Sequence, residues 1–139
     1  MIELIDQLCD TAGRLRSGRM LLAADLDPGD QPMVVGLILS FDGVSVKISA
    51  SDDDELTLAE GNQDFSGGHG AEIADSPIWK GALGRPILWV WRLVNQQGYQ
   101  DCLQFEFAEH GGADSCTLQL VAAAGQLHVR RVHQMEPMV

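Results

Sequence analysis

The chain has 139 residues, 45% of them apolar and 21% charged, which suffices for one domain with a buried core and excludes a disordered composition. Nine Lys and Arg against 20 Asp and Glu give a formal net charge of −11. Such a field repels phosphate backbones and anionic bilayers at long range and draws in basic partners, so the expected partner is a basic protein and neither nucleic acid nor a membrane.

The first element expected in chain order is a helix over Ile2 to Leu15. Ile2, Ile5, Leu8, Cys9, Ala12 and Leu15 recur at three- and four-residue intervals with Glu3, Asp6, Gln7 and Asp10 between them, the period of an amphipathic helix. Gly18 supplies a stop, and Arg14, Arg16 and Arg19 suit the negative end of the helix dipole. This start lacks the basic opening and continuous apolar run of a signal peptide, so a cytoplasmic location is expected. No apolar run approaches the roughly 20 residues that span a bilayer. Met20 to Leu26 reads as strand, ended by the turn cluster Asp27-Pro28-Gly29-Asp30.

The clearest local pattern follows. Val35, Leu37, Leu39 and Phe41 alternate, Asp42-Gly43 intervenes, and Val44, Val46, Ile48 and Ala50 alternate again. The spacing predicts a β-hairpin closed by a type I′ turn. Ser45, Lys47 and Ser49 make the other face of its second strand polar, which predicts a sheet covered there on one side only. Leu56 to Leu58 adds a short strand, and residues 61–76, rich in Gly, Asn, Asp and Ser, read as a long surface loop.

From Pro86 the pattern returns to strand. Ile87, Trp89, Trp91 and Leu93 are expected on one face and Leu88, Val90 and Val94 on the other, both buried. Asn95-Gln96-Gln97-Gly98 makes a turn, and Tyr99, Asp101, Leu103, Phe105 and Phe107 alternate beyond it as a second hairpin. Gly111-Gly112, then Cys116, Leu118 and Leu120, then the Ala124-Gly125 turn and Leu127 and Val129 predict a third hairpin ending near Val132. The aromatic residues Trp89, Trp91, Tyr99, Phe105 and Phe107 are expected to fill the core. The resulting expectation is a single α+β domain over 1–139, with the N-terminal helix packed on a predominantly antiparallel sheet built from successive β-hairpins.

No chemical centre emerges. Cys9, Cys102 and Cys116 are odd in number and lack C-x-x-C spacing, so no disulfide framework, zinc site or other cofactor is expected. Asp52-Asp53-Asp54-Glu55 offers carboxylates, but consecutive extended residues point in alternate directions and converge poorly on one cation. Asp25 to Asp30 misplaces the glycine of a calcium loop, with Gly36 where its closing glutamate belongs. His110-Gly111-Gly112 lacks a companion nucleophile elbow, and His128 and His133 project to opposite faces of a strand.

Leu83-Gly84-Arg85-Pro86-Ile87, Trp91, Asn95, Gln97-Gly98-Tyr99 and Asp101, together with the Phe41 to Leu58 stretch, resemble a group of short uncharacterised bacterial proteins. In size and acidity that group is similar to the immunity proteins encoded beside bacterial toxins. The resemblance implies binding of another protein without chemistry and supplies no active site. Asn95 and Gly98 follow from turn geometry, whereas Tyr99 and Asp101 are not required by the turn: either they serve recognition, or Tyr99 packs and Asp101 pairs with Arg92 across the hairpin. The leading expectation is therefore a non-enzymatic, immunity-like protein-binding chain, its partner surface formed by Asp52, Asp53, Asp54, Glu55, Tyr99 and Asp101. A small enzyme or ligand carrier is the alternative, with a pocket between helix and sheet walled by Trp89 or Trp91 and titrated by His69 or His110. A homodimer through an exposed sheet edge, that of the last strand, is a third expectation.

Overall fold

The computed structural model describes residues 4, 6–7, 13–22, 33–51, 53–61, 69–109 and 114–132. Among these residues the elements are nine β-strands: β1 Leu15–Leu22, β2 Val34–Phe41, β3 Val44–Ala50, β4 Leu56–Glu60, β5 His69–Glu72, β6 Ile87–Val94, β7 Gln100–Ala108, β8 Ser115–Ala123 and β9 Gln126–Val132. Two 3-10 turns, Ile73–Asp75 and Pro77–Trp79, join β5 to β6. Every pairing is antiparallel, in a five-stranded sheet ordered β4-β3-β2-β1-β5 and a four-stranded sheet ordered β6-β7-β8-β9.

The fold is therefore all-β, which corrects the expected α+β class. Of the helix expected over Ile2 to Leu15, Leu4, Asp6 and Gln7 have helical backbone, Leu15 opens β1, and residues 8–12 lie outside the described residues. The physical reason is local. Leu15 N–H donates to Arg85 O at 3.0 Å and Gly84 N–H to Leu15 O at 2.7 Å, so its backbone is committed to the segment leading into β6 and not to a helical turn. Arg14 and Arg16 serve ion pairs in place of a helix dipole. The Arg14 guanidinium grips the Glu109 carboxylate with both Nη atoms and donates to Gly84 O, while Arg16 Nε donates to Asp42 Oδ1 at 2.6 Å.

The two sheets share one apolar core. Leu37 and Leu39 of β2, Val44, Val46 and Ile48 of β3 and Leu56 of β4 face Leu103, Phe105 and Phe107 of β7, Cys116, Leu118 and Leu120 of β8 and Leu127 of β9. Burial of these alternating side chains is what fixes register, because a one-residue slip would turn each of them to solvent. The outer face of β3 carries the half-buried Ser45, Lys47 and Ser49, as its polar alternation predicts. Cross-strand hydroxyl pairs, Ser40–Ser45 and Ser49–Thr57, each 3.2 Å apart, lie on that sheet. Trp79, 0% exposed, sits in the second 3-10 turn and joins the core from the segment that crosses between sheets.

The hairpins expected at Asp42-Gly43, 95–98 and Ala124-Gly125 are all present. Only Gly43 takes positive φ (+83°) in the first, so the turn is not the type I′ that Asp-Gly predicts. Asp42 is held by Arg16 and by Arg14 N–H, at 3.3 Å, in a conformation with negative φ. The expected loop over 61–76 contains β5, paired with β1, and the first 3-10 turn, while residues 62–68 lie outside the described residues.

Candidate functional site

Three turns gather at one end of the molecule. Cys102 lies opposite Val121, which sets the 95–99 turn before β7 and the Ala124-Gly125 turn after β8 at the same end of their sheet. With strands about 4.8 Å apart, these two turns are about 10 Å from one another. Gly125 N–H donates to Asp54 Oδ1 at 3.2 Å, which brings the β3–β4 turn of the other sheet to the same place. The Arg14–Glu109 and Arg16–Asp42 pairs occupy the opposite end, because Asp42 begins the β2–β3 turn and Glu109 follows β7.

Local bonding shapes each turn. In the β3–β4 turn Ser51 N–H donates to Glu55 O at 2.8 Å, Asp54 N–H to Ser51 O at 3.1 Å and Glu55 N–H to Ser51 Oγ at 3.1 Å. Asp54 takes φ +58°, a conformation Asp tolerates better than most side chains. In the β6–β7 turn Asn95 Oδ1 accepts from Gln97 N–H at 2.9 Å and from Tyr99 N–H at 3.2 Å, and Gly98 takes φ +86°. Asn95 Nδ2 reaches Asp101 Oδ2 at 3.5 Å, so one asparagine orients both Tyr99 and Asp101. Arg92 stands opposite Leu103 and is not the partner of Asp101.

The described residues of the expected site therefore lie at one end of the molecule. Asp53, Asp54 and Tyr99 are exposed, and Glu55 and Asp101 are half-buried. Asp52 lies outside the described residues. Sequence reasoning missed the exposed Val94 beside this turn, and it placed Trp89, Trp91 and Tyr99 in the core. They are not there: Trp89 is 58% exposed and Trp91 43%, on the outer face of β6 with Leu93 at 39%. A register shift between Ile87 and Trp89 explains the error, since Ile87 points into the core and the odd-numbered residues after it point out. The core aromatics are Phe105, Phe107 and Trp79.

Register lays out the outer face of the four-stranded sheet in rows. One row runs Trp89, Glu106, Thr117, Val132; the next Trp91, Gln104, Gln119, Arg130; the third Leu93, Cys102, Val121, His128. Gln119 Nε2 donates to Gln104 Oε1 at 2.7 Å. Cys102 on this face and Cys116 in the core are free thiols, both held above the ordinary cysteine value by burial. An open groove of about 500 Å³ runs between Met33–Val34 and β9, with His128 and Arg130 as its ionisable lining. Among the described residues no three His, Cys, Asp or Glu side chains are grouped to hold a metal, and no helix is long and apolar enough to cross a membrane. Of the two histidines offered by the enzymatic alternative, His69 opens β5 and His110 lies outside the described residues.

Fold and site together define an all-β, two-sheet protein with an acidic, tyrosine-bearing end and an aromatic outer strip. The chain belongs to DUF6334, a family of unknown function, whose model matches residues 13–136. Comparison with curated proteins gives no match, and comparison with solved structures gives none.

Proposed function

We propose that this chain is a non-enzymatic protein-binding module that docks a basic partner on the end formed by the β3–β4 and β6–β7 turns. The observation that carries the reading is that Asp53, Asp54 and Glu55 lie at the same end of the molecule as Asp101 and the exposed Val94 and Tyr99. An apolar, aromatic centre with a charged rim is the anatomy of a protein interface, and Tyr is among its favoured anchors. The net charge of −11 steers a cationic partner toward it. An immunity-like role, capping a basic toxin in the cytoplasm, is the specific form of this reading; free thiols such as Cys102 and Cys116 suit a reducing compartment.

The test is capture of partners from the native cell with the wild-type chain and with Asp53→Lys and Tyr99→Ala chains, followed by binding of the purified partner. Each substitution is expected to weaken binding roughly 10-fold or more, as for the loss of an interface anchor, and wild-type affinity is expected to fall as salt rises. A partner that binds the variants as tightly as wild type would place the interface elsewhere.

A further inference from the structure

Four strands stand at sheet edges: β4, β5, β6 and β9. Natural edges are protected by shortness, charge or irregularity. β4 has five residues and ends in Glu60, β5 has four, and β9 carries His128, Arg130 and Arg131. β6 differs from all three. Its eight residues read ILWVWRLV, with Arg92 as their one charge, and among the described residues its outer edge meets only the Arg14–Pro86 bridge at its start. Its two register shifts fall between Ile87 and Trp89 and between Leu93 and Val94, leaving Trp89 to Leu93 regular.

We propose that a second copy of this chain pairs with β6, edge to edge and antiparallel, so that two four-stranded sheets become one of eight strands. Opposed residues in antiparallel strands point to the same face. The outer residues Trp89, Trp91 and Leu93 must therefore oppose one another, and the regular segment is centred on Trp91. One register pairs all five residues: Trp91 meets Trp91 of the second copy on the twofold axis, Trp89 meets Leu93, and Val90 meets Arg92. No carboxylate lies on the paired strands; the nearest on that face is Glu106, beside the outlying Trp89. Charge depletion at the centre is what an interface core requires, here on a strongly acidic chain.

The area sets the strength. Trp89, Trp91 and Leu93 leave on the order of 300 Å² of side chain exposed per copy, given the size of such residues, and the free edge of the backbone adds to it. The side chains alone fall below the standard size of stable interfaces, which implies a weak, reversible dimer. A heterologous strand on the same edge is the competing occupant. The charge pattern favours the second copy: a chain of net charge −11 draws basic partners, and this edge carries no carboxylate to receive one.

Sedimentation equilibrium of the full chain, across concentration and salt, tests this. The expected result is a monomer–dimer equilibrium that tightens as salt rises, since two like-charged copies repel. Trp91→Glu and Trp91→Lys chains should each be monomeric, with a dissociation constant raised at least roughly 30-fold as for loss of a hot-spot residue, and an equimolar mixture of the two should regain the dimer. If either variant misfolds by circular dichroism, Leu93→Glu and Leu93→Lys take its place, assayed as mixtures with wild type. A wild-type chain that stays monomeric throughout overturns the proposal, as does a dimer indifferent to these substitutions. Neither outcome bears on the acidic end, whose partner binding weakens with salt where the dimer strengthens.

Discussion

Among the described residues, Ala124 and Asp54 are the non-glycines with positive φ, and alanine tolerates it less well than aspartate. With Gly125, Ala124 forms a two-residue hairpin in which both φ angles are positive, +55° and +72°, the pattern of a type I′ turn. Alanine in the left-handed region costs about 1 kcal/mol or more relative to glycine. Ala124→Gly and Ala124→Asn are therefore expected to stabilise the protein by roughly 0.5–1 kcal/mol, read as a raised midpoint in urea. The ion pairs at the other end predict a pH response. Hydrogen bonding from Arg14 lowers the carboxyl of Glu109 below its ordinary value, and hydrogen bonding from Arg16, then from Arg14 N–H, does the same for Asp42. Carboxyls depressed in the folded state add stability above the ordinary carboxylate range, and that stability is lost as pH falls through their folded values. The thermal-midpoint gap between wild type and Arg14→Gln should thus be open at neutral pH and close on acidification. It should also shrink in salt, because both pairs are solvent-exposed.

Among the elements, the segment from Ile73 to Pro86 carries the chain from one sheet to the other, and its anchor is Trp79. Ala82 N–H and Leu83 N–H both donate to Trp79 O, at 2.9 and 3.2 Å, so the fully buried indole is held by a tight local turn. Trp79→Ala is expected to cost about 3–5 kcal/mol, measured by denaturant unfolding. The hairpins were legible from residues 35–50, 99–107 and 116–132 because apolar residues alternate there about recognisable turns. The first helix was misjudged because the 3.6-residue period running to Leu15 says nothing of Leu15 bonding to Arg85, 70 positions later. β6 failed for a related reason. A strand apolar on both faces reads as central, and neither its edge position nor the shift after Ile87 leaves a mark in local pattern. The candidate site was legible in part: acidic turns and the Asn95 turn announce themselves, whereas their meeting depends on pairings between distant segments.

At the scale of the whole molecule, the two proposed surfaces divide one protein between neutral and charged contacts. The dimer edge runs along β6, and the acidic end lies beyond its last residue. Antiparallel pairing about Trp91 sends the two acidic ends in opposite directions, so a dimer presents two separated docking points. A monovalent basic partner would then saturate at one copy per chain, and a partner with two linked sites would bind more tightly only if its linker spans both ends. Titration calorimetry of the purified partner against wild type and Trp91→Glu should give equal stoichiometry per chain, with tandem partners alone losing affinity in the variant.

The two buried cysteines of the four-stranded sheet occupy opposite sides of it, Cys102 outward and Cys116 against the core beneath Gly81. In a chain with Cys9 replaced, they become a native pair of clocks. Alkylation of Cys102 times the breathing of the outer surface, and alkylation of Cys116 times separation of the two layers, so the ratio of their rates reports whether the molecule loosens by fraying or by parting along its middle.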